Sequence, residues 1–263
     1  MRYKASKYNI LSQQGDGSWL VFGCLGNGLA GMDERGYHVY QRFVESPTEL
    51  QDLAGPDREV AERLRQGQIM LPESMDELSF LRATHYRARF SRTGLALIVL
   101  PTFECNFACD YCYQGKQATP GVMGSDVQEA LVRFASRNLF PGAVLWATWY
   151  GGEPLLFVVE PDGTLQKCWN AVGQPNKAVG HVFGNQTAAH DVHRANDAKW
   201  LGWDPFVGEC PTCSIFPLCL GGCPFKALYA TELGPVSNGR CPSLKFNIAE
   251  LLAVFAEAER SRR

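Results

Sequence analysis

The sequence holds no apolar run near the ~18 residues that a membrane-spanning helix requires. Its first ten residues, MRYKASKYNI, are polar where a signal peptide would carry its apolar stretch. Net charge is also scarce: 25 Lys and Arg against 27 Asp and Glu leave a formal −2. From the first two absences we expect a cytoplasmic protein with no membrane partner. The third sets nucleic acid aside, because binding a phosphate backbone calls for a strongly basic face. There is no internal repeat and no low-complexity stretch. What is present, 263 residues that are 46% hydrophobic, is enough chain for a substantial core. Ten cysteines accompany it. In a reducing compartment disulfides are rare, so clustered thiols point to metal or catalysis.

Residues 1 to about 46 read as β-rich, with strands Tyr8–Leu11, Trp19–Leu25 and Leu29–Met32 separated by the turns Gly15-Asp16-Gly17 and Gly26-Asn27-Gly28. From 47 to about 93, Leu50, Leu53, Val60, Leu64 and Met70 scatter along helices interrupted by Pro56 and Pro72. We take 1–93 as one module. A second, 94–157, opens on the apolar run Leu95-Ala96-Leu97-Ile98-Val99-Leu100, which reads as a fully buried strand. Ser125 caps a helix with Val127, Ala130, Leu131 and Phe134 on its apolar face, and Pro141-Gly142 ends it before the strand Ala143–Tyr150. This is one βαβ unit, and ligands of such sheets bind at the carboxyl ends of the strands. The third segment, 158–263, starts in a hairpin around Pro161-Asp162-Gly163 and continues as cysteine-rich loop. It ends in an amphipathic helix with Leu244, Ile248, Leu251, Leu252 and Phe255 on one face, whose plain role is to cover the preceding module.

Cys105, Cys109 and Cys112 stand at Cys-x3-Cys-x2-Cys on the loop after the buried strand. Three thiolates can hold three irons of a [4Fe–4S] cube and leave the fourth iron open. A zinc site completed from elsewhere in the chain uses the same ligands. Tyr111 lies between the second and third cysteines, and Gly151-Gly152-Glu153-Pro154 closes the next strand at the same edge. Two glycines let a backbone approach a ligand closely, and Glu153 offers acceptors to an ammonium group. Together these residues resemble the radical-SAM superfamily, whose cluster motif is Cys-x3-Cys-x-aromatic-Cys and whose second strand ends in a Gly-Gly-Glu-Pro-like motif. The resemblance implies a [4Fe–4S] cluster on Cys105, Cys109 and Cys112 with an open iron for S-adenosyl-L-methionine. It places Tyr111 beside the adenine and adds Gly151, Gly152, Glu153 and Pro154 as cofactor-binding residues. It also implies one-electron cleavage of the sulfonium to a 5′-deoxyadenosyl radical, the electron coming from a reductant such as flavodoxin or ferredoxin.

Cys210-x2-Cys213-x5-Cys219-x3-Cys223, with Cys168 before it and Cys241 after, exceeds one zinc site, although structural zinc remains an alternative on spacing alone. The pattern is similar to the SPASM extension of radical-SAM enzymes. By that resemblance Cys210, Cys213, Cys219 and Cys241 share one auxiliary [4Fe–4S] cluster, while Cys168 and Cys223 contribute to another. The chain departs from the pattern at Asn185, where a cysteine is expected five positions after Gly180, so the cofactors are one or two auxiliary clusters beside the first. His181 and His190 read as surface or hydrogen-bonded residues, and Cys24 as a small buried hydrophobe. Trp146, Trp149, Trp169, Trp200 and Trp203 read as core.

Proteins of this family commonly modify peptides or mature other proteins. The module 1–93 looks like the small winged-helix peptide-recognition domains fused to them, with a sheet edge open to a leader peptide. The expected fold is α/β: a truncated partial (β/α) barrel of radical-SAM type, between a small β-rich winged-helix-like module and a loop-rich iron–sulfur module ending in a helix. Truncation follows from length, since each barrel unit takes roughly 30 residues and only about two fit between Leu95 and Phe157, against about six in the family. The expected kind is therefore a radical-SAM peptide or protein maturase whose present chain cleaves S-adenosylmethionine weakly or not at all. The alternatives are a non-catalytic peptide-binding remnant that keeps its clusters, and an electron-transfer or zinc-stapled structural protein.

Overall fold

The computed structural model describes residues 1–91, 93–103, 121–149, 156–184, 189–233 and 241–261. The first elements are β1 (Arg2–Ala5), β2 (Asn9–Gln13), β3 (Trp19–Gly23), β4 (Gly28–Met32), α1 (Glu34–Glu45), β5 (Thr48–Glu49), α2 (Gly55–Gln66), β6 (Met70–Pro72) and α3 (Glu77–Arg89). Next come β7 (Gly94–Val99), α4 (Ser125–Asn138), β8 (Val144–Trp149), β9 (Leu156–Val159), β10 (Thr164–Gln166), β11 (Gly180–His181) and α5 (His190–Leu201). Three short helices, α6 (Phe216–Cys219), α7 (Pro224–Leu228) and α8 (Ala230–Leu233), precede the long α9 (Leu244–Ser261). The chain divides into two compact units. One comprises Met1–His85, Asp204–Lys226 and Leu233–Arg263, and the other Tyr86–Trp203 and Ala227–Glu232.

In the first unit β2, β3 and β4 form an antiparallel meander, and β5-β1-β6 form a second small sheet. The predicted glycine turns fall between β2 and β3 and between β3 and β4. Residues 34–45, inside the stretch read as β-rich, are instead helix α1. Asp33 caps it, its carboxylate accepting the Gly36 N–H at 2.8 Å, and Val39, Tyr40 and Phe43 bury one face. Pro56 does not interrupt a helix: it sits in the first turn of α2, where a missing N–H leaves nothing unpaired. Val21, Met32, Val39, Tyr40, Phe43, Leu64 and Met70 make the core between these layers. At Gly28 a Cβ would stand 1.7 Å from the Gly67 carbonyl oxygen, so the close approach of two backbones there requires glycine. On α9 the face expected to cover the module is only partly covered, Leu251 and Phe255 each being about half exposed at 51% and 50%.

The second unit is built on one five-stranded sheet of order β11-β10-β9-β7-β8. β7 pairs in parallel with β8 on one side and with β9 on the other, and β10 and β11 continue antiparallel. The predicted βαβ unit is present as β7, α4 and β8, although the N-cap position of α4 is Gly124, one residue before Ser125. Leu97, Ile98, Val99 and Leu100 are buried, as their apolar run requires. Leu97 and Val99 pack against Val127 and Ala130 of α4, and Leu100 packs with Val158 and Val172. The hairpin of β9 and β10 was expected to open a separate segment, yet it joins the same sheet because Val158 and Val159 pair with Ile98 and Val99.

Helix α5 lies where cysteine-rich loop was expected. Its sequence, HDVHRANDAKWL, has no apolar stripe and buries only His193, so periodicity could not reveal it. It is held from outside instead. Arg89 donates to the Trp200 carbonyl at 2.6 Å near its C-terminus, and Asn196 donates to the carbonyls of Asn176 and Ala178, both at 2.8 Å. Trp146 is not core: it is 55% exposed on the edge strand β8, with its indole lying over Gly94. The architecture is mixed α/β, and among the described residues no sheet closes into a barrel.

Candidate metal centre

Between Asp204 and Lys226 the chain turns tightly around its cysteines. Cys210 opens a single 3-10 turn with Pro211 in its first positions, and the Cys213 N–H closes it on the Cys210 carbonyl at 3.0 Å. The Phe216 N–H bonds to the Cys213 carbonyl, which starts α6 and carries the chain to Cys219. Leu220, Gly221 and Gly222 then all take positive φ, of 43°, 85° and 78°. Glycine adopts that region without a Cβ penalty, and the turn it allows sets the Gly222 N–H on the Cys219 carbonyl at 2.9 Å and brings the N–H groups of Gly221 and Gly222 near the Cys219 thiol. Burial raises the Cys219 thiol, and these two N–H groups oppose that shift by favouring thiolate. Cys241 enters just before α9, with the Lys245 Nζ 3.7 Å from its sulfur.

These turns bring Cys210, Cys213, Cys219 and Cys241 to the wall of one cavity of about 290 Å³, shared with Val207, Ile215 and Lys245. None of the seven described cysteines is in a disulfide. Among the described residues no three His, Cys, Asp or Glu side chains are grouped as one metal ion would need. Four thiolates are a donor set that a multinuclear cluster, with one thiolate per iron, can take, as can a single zinc ion.

The pocket is anchored from the N-terminal module. Tyr8, fully buried, donates its hydroxyl to the Pro211 carbonyl at 3.1 Å, and its own carbonyl accepts the Cys24 N–H, also at 3.1 Å. Cys24 is 2% exposed and lies within electrostatic reach of Cys213 and Cys219, burial pushing its thiol up to about 12. That burial agrees with the sequence reading of Cys24 as a small buried hydrophobe, and the residue is not among those that line the cavity.

Of the other expected ligands, Cys223 follows Gly222 in the first unit, and Cys168 belongs to the second, where the Asn170 amide lies 3.8 Å from its sulfur. His181 stacks on Phe183, and His190 faces Asp191 at 3.7 Å. Asn185 lies outside the described residues, as do Cys105, Cys109, Cys112, Tyr111, Gly151, Gly152, Glu153 and Pro154. The frame that carries the last eight is described. β7 and β8 are in register from Gly94 with Val144 to Val99 with Trp149, so their carboxyl ends finish side by side. The segment 104–120 leaves and returns through a clamp in which Thr102 bridges Val122, the Phe103 N–H bonds to Gly121 and the Met123 N–H bonds to Pro101. Glu160 follows β9 at the same edge. It is 5% exposed, accepts from Gln166 at 2.8 Å and from the Gly173 N–H at 3.2 Å, and is pushed up to about 7 by burial.

Comparison of the sequence with protein-family models and with curated proteins finds no match.

Proposed function

We propose that this chain is an iron–sulfur protein of radical-SAM/SPASM type that acts on a peptide or protein substrate, with Cys210, Cys213, Cys219 and Cys241 holding an auxiliary [4Fe–4S] cluster. The observation that carries this reading is the single cavity lined by these four thiols. They are the set that the SPASM-like spacing groups together. The adjacent carboxyl ends of β7 and β8 support the first cluster on Cys105, Cys109 and Cys112, with S-adenosyl-L-methionine reaching Tyr111 and the residues Gly151, Gly152, Glu153 and Pro154. The meander β2-β3-β4 and its helices support a peptide-binding role for the N-terminal module, and flavodoxin or ferredoxin would supply electrons.

The test is reconstitution of the full chain with iron and sulfide under anaerobic conditions. Two or more clusters per chain are expected, with single Cys→Ala changes at 210, 213, 219 or 241 each removing one and leaving the others. Zinc alone in elemental analysis, without cluster absorption, overturns the reading.

A second reading, a non-catalytic remnant that binds peptide and keeps its clusters, is favoured by one observation. Only residues 150–155 link β8 to β9, two parallel strands on opposite sides of β7, where crossovers of parallel strands take about a dozen residues or more. The sheet thus has no room for the intervening barrel units.

A further inference from the structure

The cavity that the four thiols line is also lined by Lys245. Its Nζ lies 3.7 Å from the Cys241 sulfur, within reach of an N–H···S hydrogen bond. The backbone fixes where that side chain starts. The Lys245 N–H bonds to the Pro242 carbonyl at 3.0 Å and the Phe246 N–H to the Ser243 carbonyl at 2.9 Å, so the lysine stands one turn beyond Cys241. For the helix itself this is a poor place for a cation. Lys245 is the second residue of α9, whose first turn carries no acidic side chain, and the positive end of the helix dipole disfavours an ammonium there. No carboxylate offsets this: among the described residues Lys245 forms no ion pair, although Glu209 lines the same cavity. The partner it does have is the sulfur of a candidate ligand.

We infer that Lys245 sets the charge balance of this centre, its ammonium donating to the Cys241 sulfur and raising the reduction potential of the cluster that the four thiols hold. The inference rests on the cluster reading above. Four thiolates leave an iron–sulfur cube net negative, and reduction adds an electron whose charge spreads onto the ligand sulfurs. A cation at hydrogen-bond distance from one of them stabilises the reduced state more than the oxidised one. The same negative charge offsets the unfavourable position of the lysine at the start of α9. Lys245 is exposed, so water and salt weaken the attraction without removing it, and the expected change is roughly three- to tenfold in the reduction equilibrium. Lys245 acts through the cluster and is therefore a positioning residue.

The experiment uses the full chain, reconstituted anaerobically, in wild-type form and as Lys245→Met and Lys245→Arg. Iron and sulfide are assayed, and the midpoint potential is read by redox titration followed by EPR on the cluster signal that Cys241→Ala removes. Expected are unchanged iron and sulfide in both variants, a lower potential in Lys245→Met, and a potential near the wild-type one in Lys245→Arg, which keeps the charge. The gap between wild type and Lys245→Met should narrow as ionic strength rises. Full iron with an unchanged potential in Lys245→Met overturns this inference and leaves the cluster reading standing, as does a fall of equal size in Lys245→Arg. Loss of that cluster's iron in Lys245→Met also overturns it, by giving the lysine a structural role. Failure of the wild-type chain to take up iron overturns the cluster reading itself, and the inference with it.

Discussion

The Tyr8 hydroxyl and the Pro211 carbonyl oxygen are 3.1 Å apart across 203 residues of sequence, in a buried hydrogen bond. Proline has no N–H, so the turn Cys210–Thr212 depends on its carbonyls for external anchoring, and Tyr8 supplies the anchor. Tyr8→Phe keeps the ring and removes the donor. We expect a loss of about 1–2 kcal/mol in denaturant unfolding, the cost of one buried carbonyl left unpaired. We also expect faster loss of iron to a chelator in the reconstituted protein. Unchanged chelation kinetics would show that the bond does not hold the cysteine turn.

Gly28 offers a test of how tightly β4 meets the end of α2. A methyl group there would overlap the Gly67 carbonyl oxygen at 1.7 Å, which is backbone and cannot rotate away. Gly28→Ala should therefore cost roughly 2–3 kcal/mol through forced backbone displacement. Gly15→Ala is the matched control, because a Cβ at Gly15 meets nothing within 4 Å. Thermal unfolding of the two variants should separate them clearly, with Gly15→Ala close to the parent.

What the sequence made legible follows from which signals are local. The glycine turns of the meander and the buried run Leu97 to Leu100 act through neighbouring residues, and both appear where expected. So does the βαβ unit, since its helix has a 3.6-residue apolar stripe. Helix α1 carries equally local signals, Asp33 at its N-cap and Gly36, Val39, Tyr40 and Phe43 at helical spacing, and the reading of 1 to about 46 as β-rich passed over them in favour of the glycine turns. Helix α5 was missed because long-range donors, Arg89 and Asn196, hold it without a stripe. In the candidate site, Cys-x2-Cys spacing pointed to the 210–219 turn, and the resemblance added Cys241. Tyr8 reaches the turn between Cys210 and Cys213 through the tertiary fold alone, and no sequence period encodes that.

Glu160 links burial to pH. Its folded pKa is raised to about 7, from an ordinary value of 4.5, because burial disfavours the carboxylate, although Gln166 and the Gly173 N–H partly offset this. Below pH 4.5 both folded and unfolded chains keep the proton, and Glu160 has no effect on stability. Between about 4.5 and 7 the unfolded chain releases a proton that the folded chain retains, so stability falls as pH rises, by about 3 kcal/mol in total. Above 7 the penalty is complete. Glu160→Gln should remove this slope and unfold at a higher temperature than the parent at pH 8, with little difference at pH 4.5. A parallel pH dependence in the two proteins would refute it.

The last prediction concerns turnover. β7, β8 and β9 are the only parallel strands among the described residues, and Ala96 faces both Trp146 of β8 and Leu156 of β9, so β9 begins level with the third residue of β8. The chain leaves β8 at its carboxyl end and must re-enter β9 at its amino end after residues 150–155 alone. Six residues cannot hold a crossover helix, let alone further strand–helix units of roughly 30 residues each. The edge left at β8 presents Val144, Leu145 and Trp146 at 42–55% exposure, apolar side chains that a continuing barrel would cover. A cofactor seated at the carboxyl ends of β7 and β8 would lack the grip of later strands on its ribose and carboxylate, and water would reach it. We therefore expect this chain, fully loaded with iron and given a strong reductant, to form little or no 5′-deoxyadenosine from S-adenosyl-L-methionine. Chromatography of the reaction products measures it directly. Sustained formation over many turnovers would mean that a second chain completes the site.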